Sequence, residues 1–188
     1  MKLKTLILYA SIFVWLLPPL KQFRGRFFYY FIILAIGDPI AYTLLKLHYH
    51  TLPFYSIMEL LLISVLWQPK WLPKKIPYFI LPMIALYYAV DKIHYSFGYS
   101  FIALEHMAIL FFIFRLAAND AIDLKKIKMF YILIIFYELS ILLKYIFVAT
   151  MIDMGMTYFY LTSAFELLLG LSFVFVAEDD AELAIALK

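Results

Sequence analysis

Cysteine is absent from the 188-residue sequence, which excludes disulfide bonds, thiolate metal sites and thiol nucleophiles. Charged residues are scarce as well: they make up 15% of the chain, against about a quarter in soluble domains. No polar segment between the apolar ones is long enough to fold independently, and the chain length suffices for one domain only. We expect neither a nucleic-acid partner nor a cofactor, and we assign no metal site.

Apolar residues dominate what is present. They account for 66% of the sequence, aromatic residues account for 20%, and the mean hydropathy is +0.92. These values lie far outside the range of soluble proteins, and Phe and Tyr in such numbers suit positions that face lipid or the bilayer interface. The composition predicts an integral membrane protein with the lipid bilayer as its immediate partner.

Hydropathy divides the chain into seven apolar spans of membrane-crossing length. The fourth is the weakest because Pro77 and Pro82 interrupt it, but prolines are tolerated where neighbouring helices satisfy the freed carbonyls. The predicted spans are residues 5–20, 27–46, 52–68, 72–90, 97–117, 129–149 and 157–177. The predicted fold class is therefore all-α, a polytopic seven-transmembrane-helix bundle that forms one domain, residues 1–177, and is followed by a short tail, residues 178–188.

The distribution of basic residues predicts the orientation of this bundle. Of the 16 Lys and Arg residues, eleven fall on the side of the C-terminus and four on the side of the N-terminus, while Lys144 lies inside the sixth span. Since cytoplasmic loops are enriched in Lys and Arg, we expect the N-terminus outside and the C-terminus in the cytoplasm, in a plasma membrane or a bacterial inner membrane. The cytoplasmic tail is expected to fray or to begin a short helix at its acidic cluster, Glu178 to Asp180.

Five of the seven spans carry one acidic residue close to their centre. A carboxylate in the middle of a bilayer costs roughly 2.5–3.5 kcal/mol on insertion scales, so these side chains must face the interior, pair with a base or stay protonated. The five residues are Asp38, Glu59, Glu105, Glu138 and Glu166. The simplest alternative role is to hold helices together by hydrogen bonds, but five acids exceed what that role requires. They predict a ligand- or proton-binding site inside the bundle.

Four of the five acids have hydroxyl groups on the same predicted helix face. Residues three, four or seven positions apart share a face, and a hydroxyl there is expected to satisfy a buried carboxylate. The hydroxyl residues are Tyr42 beside Asp38, Tyr55 and Ser56 beside Glu59, Tyr131 and Tyr145 beside Glu138, and Thr162 and Ser163 beside Glu166. Glu105 instead adjoins His106, the only histidine at mid-membrane depth, which either carries protons or is a packed, hydrogen-bonded residue.

The motif Gly37-Asp38-Pro39 interrupts the second span. Pro39 removes a backbone donor and Gly37 permits local unwinding, which together predict a broken helix of the kind that presents side chains and carbonyls to a substrate or ion. The alternative is a proline kink at which Asp38 caps a freed backbone N–H. Ile36-Gly37-Asp38 also resembles the Gly-Asp motif of the lysoplasmalogenase family, membrane hydrolases that cleave vinyl-ether lysolipids. The resemblance covers three residues and implies an intramembrane lipid hydrolase.

Three functional hypotheses follow from these features. The favoured one is a small carrier or receptor whose acidic site binds a cation or couples protons to a small solute, and it predicts a cavity that joins several acids. A Ser-x-x-Glu-Leu-Leu-Leu pattern shared by the third and seventh spans adds slight support, since transporters often contain repeats.

Two alternatives stay open. The first is a non-catalytic subunit or signalling partner of a larger complex, with acids that face outward toward another membrane protein. The second is the lipid hydrolase, with Asp38 and Glu59 or Glu105 activating water. The balance favours a protein that is not an enzyme, and no catalytic residue is assigned.

Overall fold

The computed structural model describes residues 3–23, 25–67, 95–180 and 183–186. This part of the chain is all-helical, with 80% of the described residues in helices, which confirms the predicted all-α class. The predicted fourth span, 72–90, lies outside the described residues.

Six helices of 13 residues or more, one short helix and two short strands make up the described part of the chain. The helices are α1 (Leu3–Trp15), α2 (Pro18–Lys21), α3 (Phe28–Lys46), α4 (Leu52–Trp67), α5 (Tyr95–Leu124), α6 (Met129–Ala149) and α7 (Gly155–Phe175), and the strands are β1 (Lys126–Lys128) and β2 (Ala184–Ala186). Helices α3, α5, α6 and α7 are long and apolar enough to cross a membrane, and α4 is a shorter apolar helix of 16 residues.

Helix boundaries follow the hydropathy pattern closely, with two local differences. The helix α6 coincides with the predicted span 129–149. By contrast, α1 ends at Trp15, because Pro18 and Pro19 lack the N–H groups that would continue it and instead occupy the first turn of α2. The helix α5 extends past the predicted end at residue 117, and its last turns are polar and exposed.

The six long helices form a closed ring in the order α1, α3, α4, α5, α6 and α7, with α7 packed against α1. Short connections join α3 to α4 and α6 to α7, so these consecutive helices run antiparallel. We call the end formed by residues 47–51 and 150–154 the mouth end. The opposite end, formed by residues 22–23, 25–27, 125–128, 176–180 and 183–186, is the tail end.

Aromatic side chains fill the ring toward the tail end. Phe27, Phe31, Phe130 and Phe173 are completely buried, and we call them the aromatic plug. The ring centroids are 4.9 Å apart for Phe27 and Phe130 and 5.0 Å apart for Phe31 and Phe173, within the range of favourable aromatic pairs. This close packing joins α3, α6 and α7 at the tail end.

Gly170 brings α7 close to α1. A Cβ atom at Gly170 would lie 2.7 Å from Cγ1 of Val14 and 3.4 Å from the Trp15 ring, so only glycine fits without a shift of α1. Small residues at helix contacts allow the backbones of membrane helices to approach each other in this way.

The helix α3 continues without a break through Pro39, so the predicted broken helix at Gly37-Asp38-Pro39 is wrong. Gly37 packs against α4, where a Cβ would lie 3.4 Å from Cε of Met58, close to ordinary van der Waals contact. The Asp38 carboxylate accepts a hydrogen bond from the Ser11 hydroxyl of α1 at 2.8 Å. Packing against neighbouring helices thus outweighs the single backbone hydrogen bond that the proline removes.

The tail neither frays nor forms a helix in residues 183–186, contrary to expectation. Strand β2 pairs antiparallel with β1, with Lys126 opposite Ala186, and the Met129 N–H donates to the Leu183 carbonyl at 2.8 Å. The pairing joins segments more than fifty residues apart, and each side supplies the backbone donors and acceptors that the other needs.

Three residues hold the start of the tail against the tail end of the ring, and we call Gln22, Arg26 and Glu178 the tail clasp. The Arg26 backbone N–H donates to Glu178 Oε2 at 2.9 Å, and Arg26 Nε lies 3.5 Å from Glu178 Oε1. The Glu178 N–H donates to Gln22 Oε1 at 3.1 Å. Glu178 is only 4% exposed, and this burial raises the pKa of its carboxyl group, although Arg26 lowers it in part.

Candidate functional site

A cavity of about 730 Å³ lies inside the helix ring. Helices α1, α3, α4, α6 and α7 supply most of its walls, and α5 contributes Tyr99. The cavity reaches the mouth end, where Thr51, Leu52 and residues 152–156 line it. At its inner limit it is lined by Trp15, whose ring centroid lies 6.3 Å from that of Phe173 in the aromatic plug. Its volume falls in the range of small-molecule pockets, about 300–1,000 Å³.

Three of the five predicted acids line this cavity: Asp38 from α3, Glu59 from α4 and Glu166 from α7. Glu105 and Glu138 are not among the lining residues that the structure describes, and both are buried between helices. The helix ring therefore divides the acids into a group at the cavity and a group behind its wall.

Lys144 is the basic partner of Glu166. Its Nζ atom on α6 lies 2.6 Å from Glu166 Oε2, and the Ser140 hydroxyl donates to Glu166 Oε1 at 3.1 Å. Lys144 was visible in the sequence as a lone lysine inside the sixth span, but hydropathy does not say which helix faces it. Its ammonium also lies 5.7 Å from the centroid of the Phe159 ring.

His106 of α5 lies between two carboxylates on different helices. Its Nδ1 atom is 2.8 Å from Glu138 Oε2 on α6, and its Nε2 atom is 3.4 Å from Glu59 Oε1 on α4. The Tyr30 hydroxyl of α3 donates to the other oxygen of Glu138. Four helices thus meet at one buried polar cluster, which we call the His106 cluster: Tyr30, Glu59, His106 and Glu138.

Glu59 belongs to both the His106 cluster and the cavity wall, and it is incompletely satisfied. The residue is 6% exposed, and its Oε2 atom has no hydrogen-bond partner among the described residues. The contact between Glu59 Oε1 and His106 Nε2 is long and not aligned as a hydrogen bond. A buried carboxylate oxygen without a donor is costly, and such groups often mark sites that another molecule completes.

Glu105 and His106 are adjacent in sequence but have different partners. Glu105 Oε1 accepts a hydrogen bond from the Ser56 hydroxyl of α4 at 3.0 Å, whereas Oε2 has no partner in the described part of the chain. Successive residues of a helix point about 100° apart, which explains why the two side chains reach different neighbours.

The donors to Asp38, Glu105, Glu138 and Glu166 come from neighbouring helices and not from the same helix, which differs from the expectation. Among the predicted same-face groups, Tyr42 lies 3.4 Å from the Tyr9 hydroxyl, Tyr131 donates to Asp120 at 2.9 Å, and Thr162 donates to its own helix at the Tyr158 carbonyl, 2.9 Å away. Side chains on one helix face point in parallel, so a carboxylate aimed inward meets groups on the facing helix. Short hydroxyl side chains also bond readily to the preceding turn.

Five of the predicted supporting residues do line the cavity: Gly37, Tyr55, Tyr145, Thr162 and Ser163. The Tyr145 ring stacks on the His106 ring with centroids 5.2 Å apart. Ser56 is buried behind the wall with Glu105. The predicted supporting residues Gly37 and Pro39 lie on α3, and Gly37 lines the cavity beside Asp38.

A second polar cluster, at the tail end, was missed at the level of sequence. Arg26 Nη1 lies 3.5 Å from Asp120 Oδ1, and Lys128 Nζ lies 3.3 Å from Asp120 Oδ2. The signal for this cluster in the sequence was the run of basic residues in the loops, but the predicted membrane orientation was enough to account for those residues. The cluster ties α5, α6 and the tail clasp together beyond the aromatic plug.

The described residues contain no group of three or more His, Asp or Glu side chains that could hold a metal ion. Comparisons with protein-family models, with curated proteins and with solved structures yield no match. The fold and its apolar helices are those of a helical protein compatible with a membrane. A narrower function must be argued from the cavity itself.

Proposed function

We propose that this protein is a small membrane carrier or receptor whose central cavity binds a cation or couples protons to a small solute. One observation supports this proposal above all: Asp38, Glu59 and Glu166, which lie on three different helices, line a single cavity. Burying acids is expensive in a membrane protein, and acids gathered around a cavity are typical of substrate and ion pathways.

The proposal includes a seven-helix bundle with the tail end in the cytoplasm. Residues 72–90 would supply the remaining helix. In the described chain Lys21, Arg26, Lys125, Lys126 and Lys128 lie at or next to the tail end, whereas Lys4 in the first turn of α1 and Lys46 at the end of α3 lie toward the mouth end. This asymmetry supports a cytoplasmic tail end and an external mouth end in a plasma or bacterial inner membrane.

The two ends of the ring differ in a way that suits alternating access. The cavity reaches the mouth end, while the aromatic plug and the ion pairs of Arg26 and Asp120 lie at the tail end. A carrier would release its solute to the cytoplasm only after those contacts separate. A receptor would keep them and transmit binding through the tail clasp.

The His106 cluster supports the proton-coupling form of the proposal. Glu59 lines the cavity, and His106 connects it to Glu138, which lies outside the described lining. A proton taken up at Glu59 could pass to the imidazole and change the charge balance around Glu138. His is the side chain best suited to such exchange near neutral pH.

The two alternative functions have weaker support. A subunit whose acids pair with bases on another protein needs outward-facing carboxylates, but Glu59, Glu105 and Glu138 are all at least nine-tenths buried. A lipid hydrolase needs its acids grouped around one water molecule, but Asp38 is bonded to Ser11 and Glu105 to Ser56, on different helix pairs.

Reconstitution into liposomes tests the proposal. The protein is incorporated with a pH-sensitive dye inside, and gradients of small cations are imposed from outside. A carrier moves protons or cations in the wild type and not in Glu59→Gln, while Asp179→Asn on the exposed tail leaves the flux unchanged. A receptor gives no flux but is stabilised against unfolding by its ligand. The absence of both flux and ligand stabilisation across a broad panel of small cations and solutes would overturn the proposal.

A further inference from the structure

The charges at the cavity wall are unbalanced. Lys144 is the sole cation among the described lining residues, and its ammonium is already paired with Glu166 at 2.6 Å. Asp38 has the Ser11 hydroxyl as its donor, and Glu59 has a long contact to His106, which also serves Glu138. Asp38 and Glu59, together with Asp153 at the mouth end, therefore line the cavity without a base of their own in the described chain.

Glu59 supplies a second, independent indication of a ligand. It is more than nine-tenths buried, it lines the cavity, and its Oε2 atom finds no hydrogen-bond donor in the described chain. A donor carried by a bound molecule would satisfy this oxygen. A ligand bound at this position would therefore carry an N–H or O–H group. The excess of negative charge on the cavity wall favours a cationic ligand.

Aromatic rings make up much of the remaining wall. Trp15, Tyr55, Tyr99, Tyr137 and Tyr145 all line the cavity, and Trp15 and Tyr137 contact each other with centroids 4.5 Å apart. Aromatic faces attract ammonium groups and also pack against hydrocarbon, which is how organic cations are recognised. A bare metal ion would need several oxygen or nitrogen ligands at one point, and the described residues offer no such group.

We propose that the cavity binds a protonated organic amine with an apolar body. The ammonium group donates to Glu59, Asp38 adds negative charge to the same cavity wall, and the apolar body lies against the aromatic wall formed by Trp15, Tyr137 and Tyr145. The volume of about 730 Å³ accommodates a molecule of this kind and greatly exceeds what a single dehydrated ion fills. This inference rests on the proposed function, since it names the ligand class of the same cavity.

The inference can be tested before a ligand is known, by comparing how fast a cationic and an anionic reagent modify a thiol in the cavity. An introduced cysteine supplies the only thiol, because the chain has no cysteine of its own. Thr162→Cys places a thiol in the cavity wall, and Thr150→Cys places one on the exposed mouth end. The two threonines are matched, since each hydroxyl donates only to its own helix backbone, at Tyr158 and Ile146 respectively. Each variant of the full chain in detergent is treated with a trimethylammonium-ethyl thiosulfonate and with a sulfonate reagent of similar size.

For each variant we compare the rate of modification by the cationic reagent with the rate by the anionic reagent. This rate ratio should be about tenfold higher at Thr162→Cys than at Thr150→Cys, because buried carboxylates concentrate cations in a cleft. Adding Glu59→Gln or Asp38→Asn should reduce that ratio, whereas Glu105→Gln, behind the wall, should not. Benzylammonium chloride should slow the modification, and potassium chloride at equal concentration should not.

The failures of the two proposals are distinguishable. If neither reagent reaches Thr162→Cys while both modify Thr150→Cys, the open cavity is wrong and the proposed function falls with it. If both reagents react equally, or if potassium protects as well as benzylammonium, the cavity stands and the organic-amine inference is overturned.

Discussion

The imidazole of His106 lies 2.8 Å from the Glu138 carboxylate, and the two side chains are almost completely buried. His106 also approaches Glu59, so one imidazole serves two carboxylates on different helices. Removing a single member of a buried charge cluster leaves its partners uncompensated, which costs more than the intact cluster contributes. His106 is therefore expected to be the most sensitive polar position for folding.

His106→Leu should lower the free energy of unfolding by about 3 kcal/mol, because it keeps the volume but leaves Glu59 and Glu138 without a base. Unfolding in mixed micelles by a denaturing detergent measures the change. Met107→Leu, at the neighbouring position that is 54% exposed, is the matched control and should have little effect. Addition of Glu138→Gln to His106→Leu should restore part of the loss; a further loss would show that the cluster is not held by charge pairing.

The pair of Lys144 and Glu166 should behave as a coupled unit. Lys144→Met leaves a mostly buried carboxylate unpaired and should cost about 2–3 kcal/mol of unfolding free energy. The double variant Lys144→Met with Glu166→Gln should cost less than Lys144→Met alone, because the uncompensated charge is removed. A double-mutant cycle in the same detergent titration measures the coupling, and strictly additive effects would contradict the pairing.

The helices could be predicted from the sequence, but their partners could not. The predicted span 129–149 coincides with α6 because hydropathy is a local property, read from consecutive residues. The contacts of Asp38 with Ser11 and of Glu166 with Lys144 depend on how each helix is rotated against its neighbours. The helices are apolar nearly all round, so the hydropathy pattern does not define that rotation.

The tail shows a second limit of local reasoning. Residues Ala184 to Ala186 have no strong strand pattern of their own, and their pairing with Lys126 to Lys128 is a long-range contact. The break expected at Pro39 is absent for a similar reason, since contacts with α1 and α4 hold α3 continuous. In both cases tertiary packing overrode a local preference.

Gly170→Ala tests the close approach of α1 and α7. The added methyl would lie 2.7 Å from Cγ1 of Val14, so the Val14 side chain or one of the two helices must shift, at a cost of about 1–3 kcal/mol. Val14→Ala removes the obstructing methyl groups and should rescue the Gly170→Ala variant in part. Melting temperatures in detergent compare the four proteins. A loss that Val14→Ala does not relieve would indicate that the helices do not meet at this glycine.

Stability should depend on pH through Glu178. Burial raises the pKa of this carboxyl group above its ordinary value of 4.5, so the folded protein binds the proton more tightly than the unfolded chain does. The resulting contribution to stability is fully present below the unfolded pKa and is lost as the pH rises through the folded pKa. Glu178→Gln should remove this part of the dependence, which sets in as the pH rises above the ordinary value of 4.5, as followed by unfolding at each pH. Asp179→Asn, on the exposed neighbour, should retain most of it, because the Asp179 charge raises the Glu178 pKa less than burial does; equal profiles for wild type and Glu178→Gln would contradict the assignment.

The orientation of the bundle can be tested with single cysteines, because the chain supplies no background thiol. Thr150→Cys lies at the mouth end and Asp123→Cys lies on the exposed last turn of α5, near the tail end. If the basic tail end faces the cytoplasm, a membrane-impermeant maleimide should label Thr150→Cys in intact cells and Asp123→Cys only after permeabilisation. The opposite pattern would place the cavity mouth in the cytoplasm, and a carrier would then have to draw its solute from inside the cell. Labelling of both positions in intact cells would instead indicate that the chain inserts in two orientations.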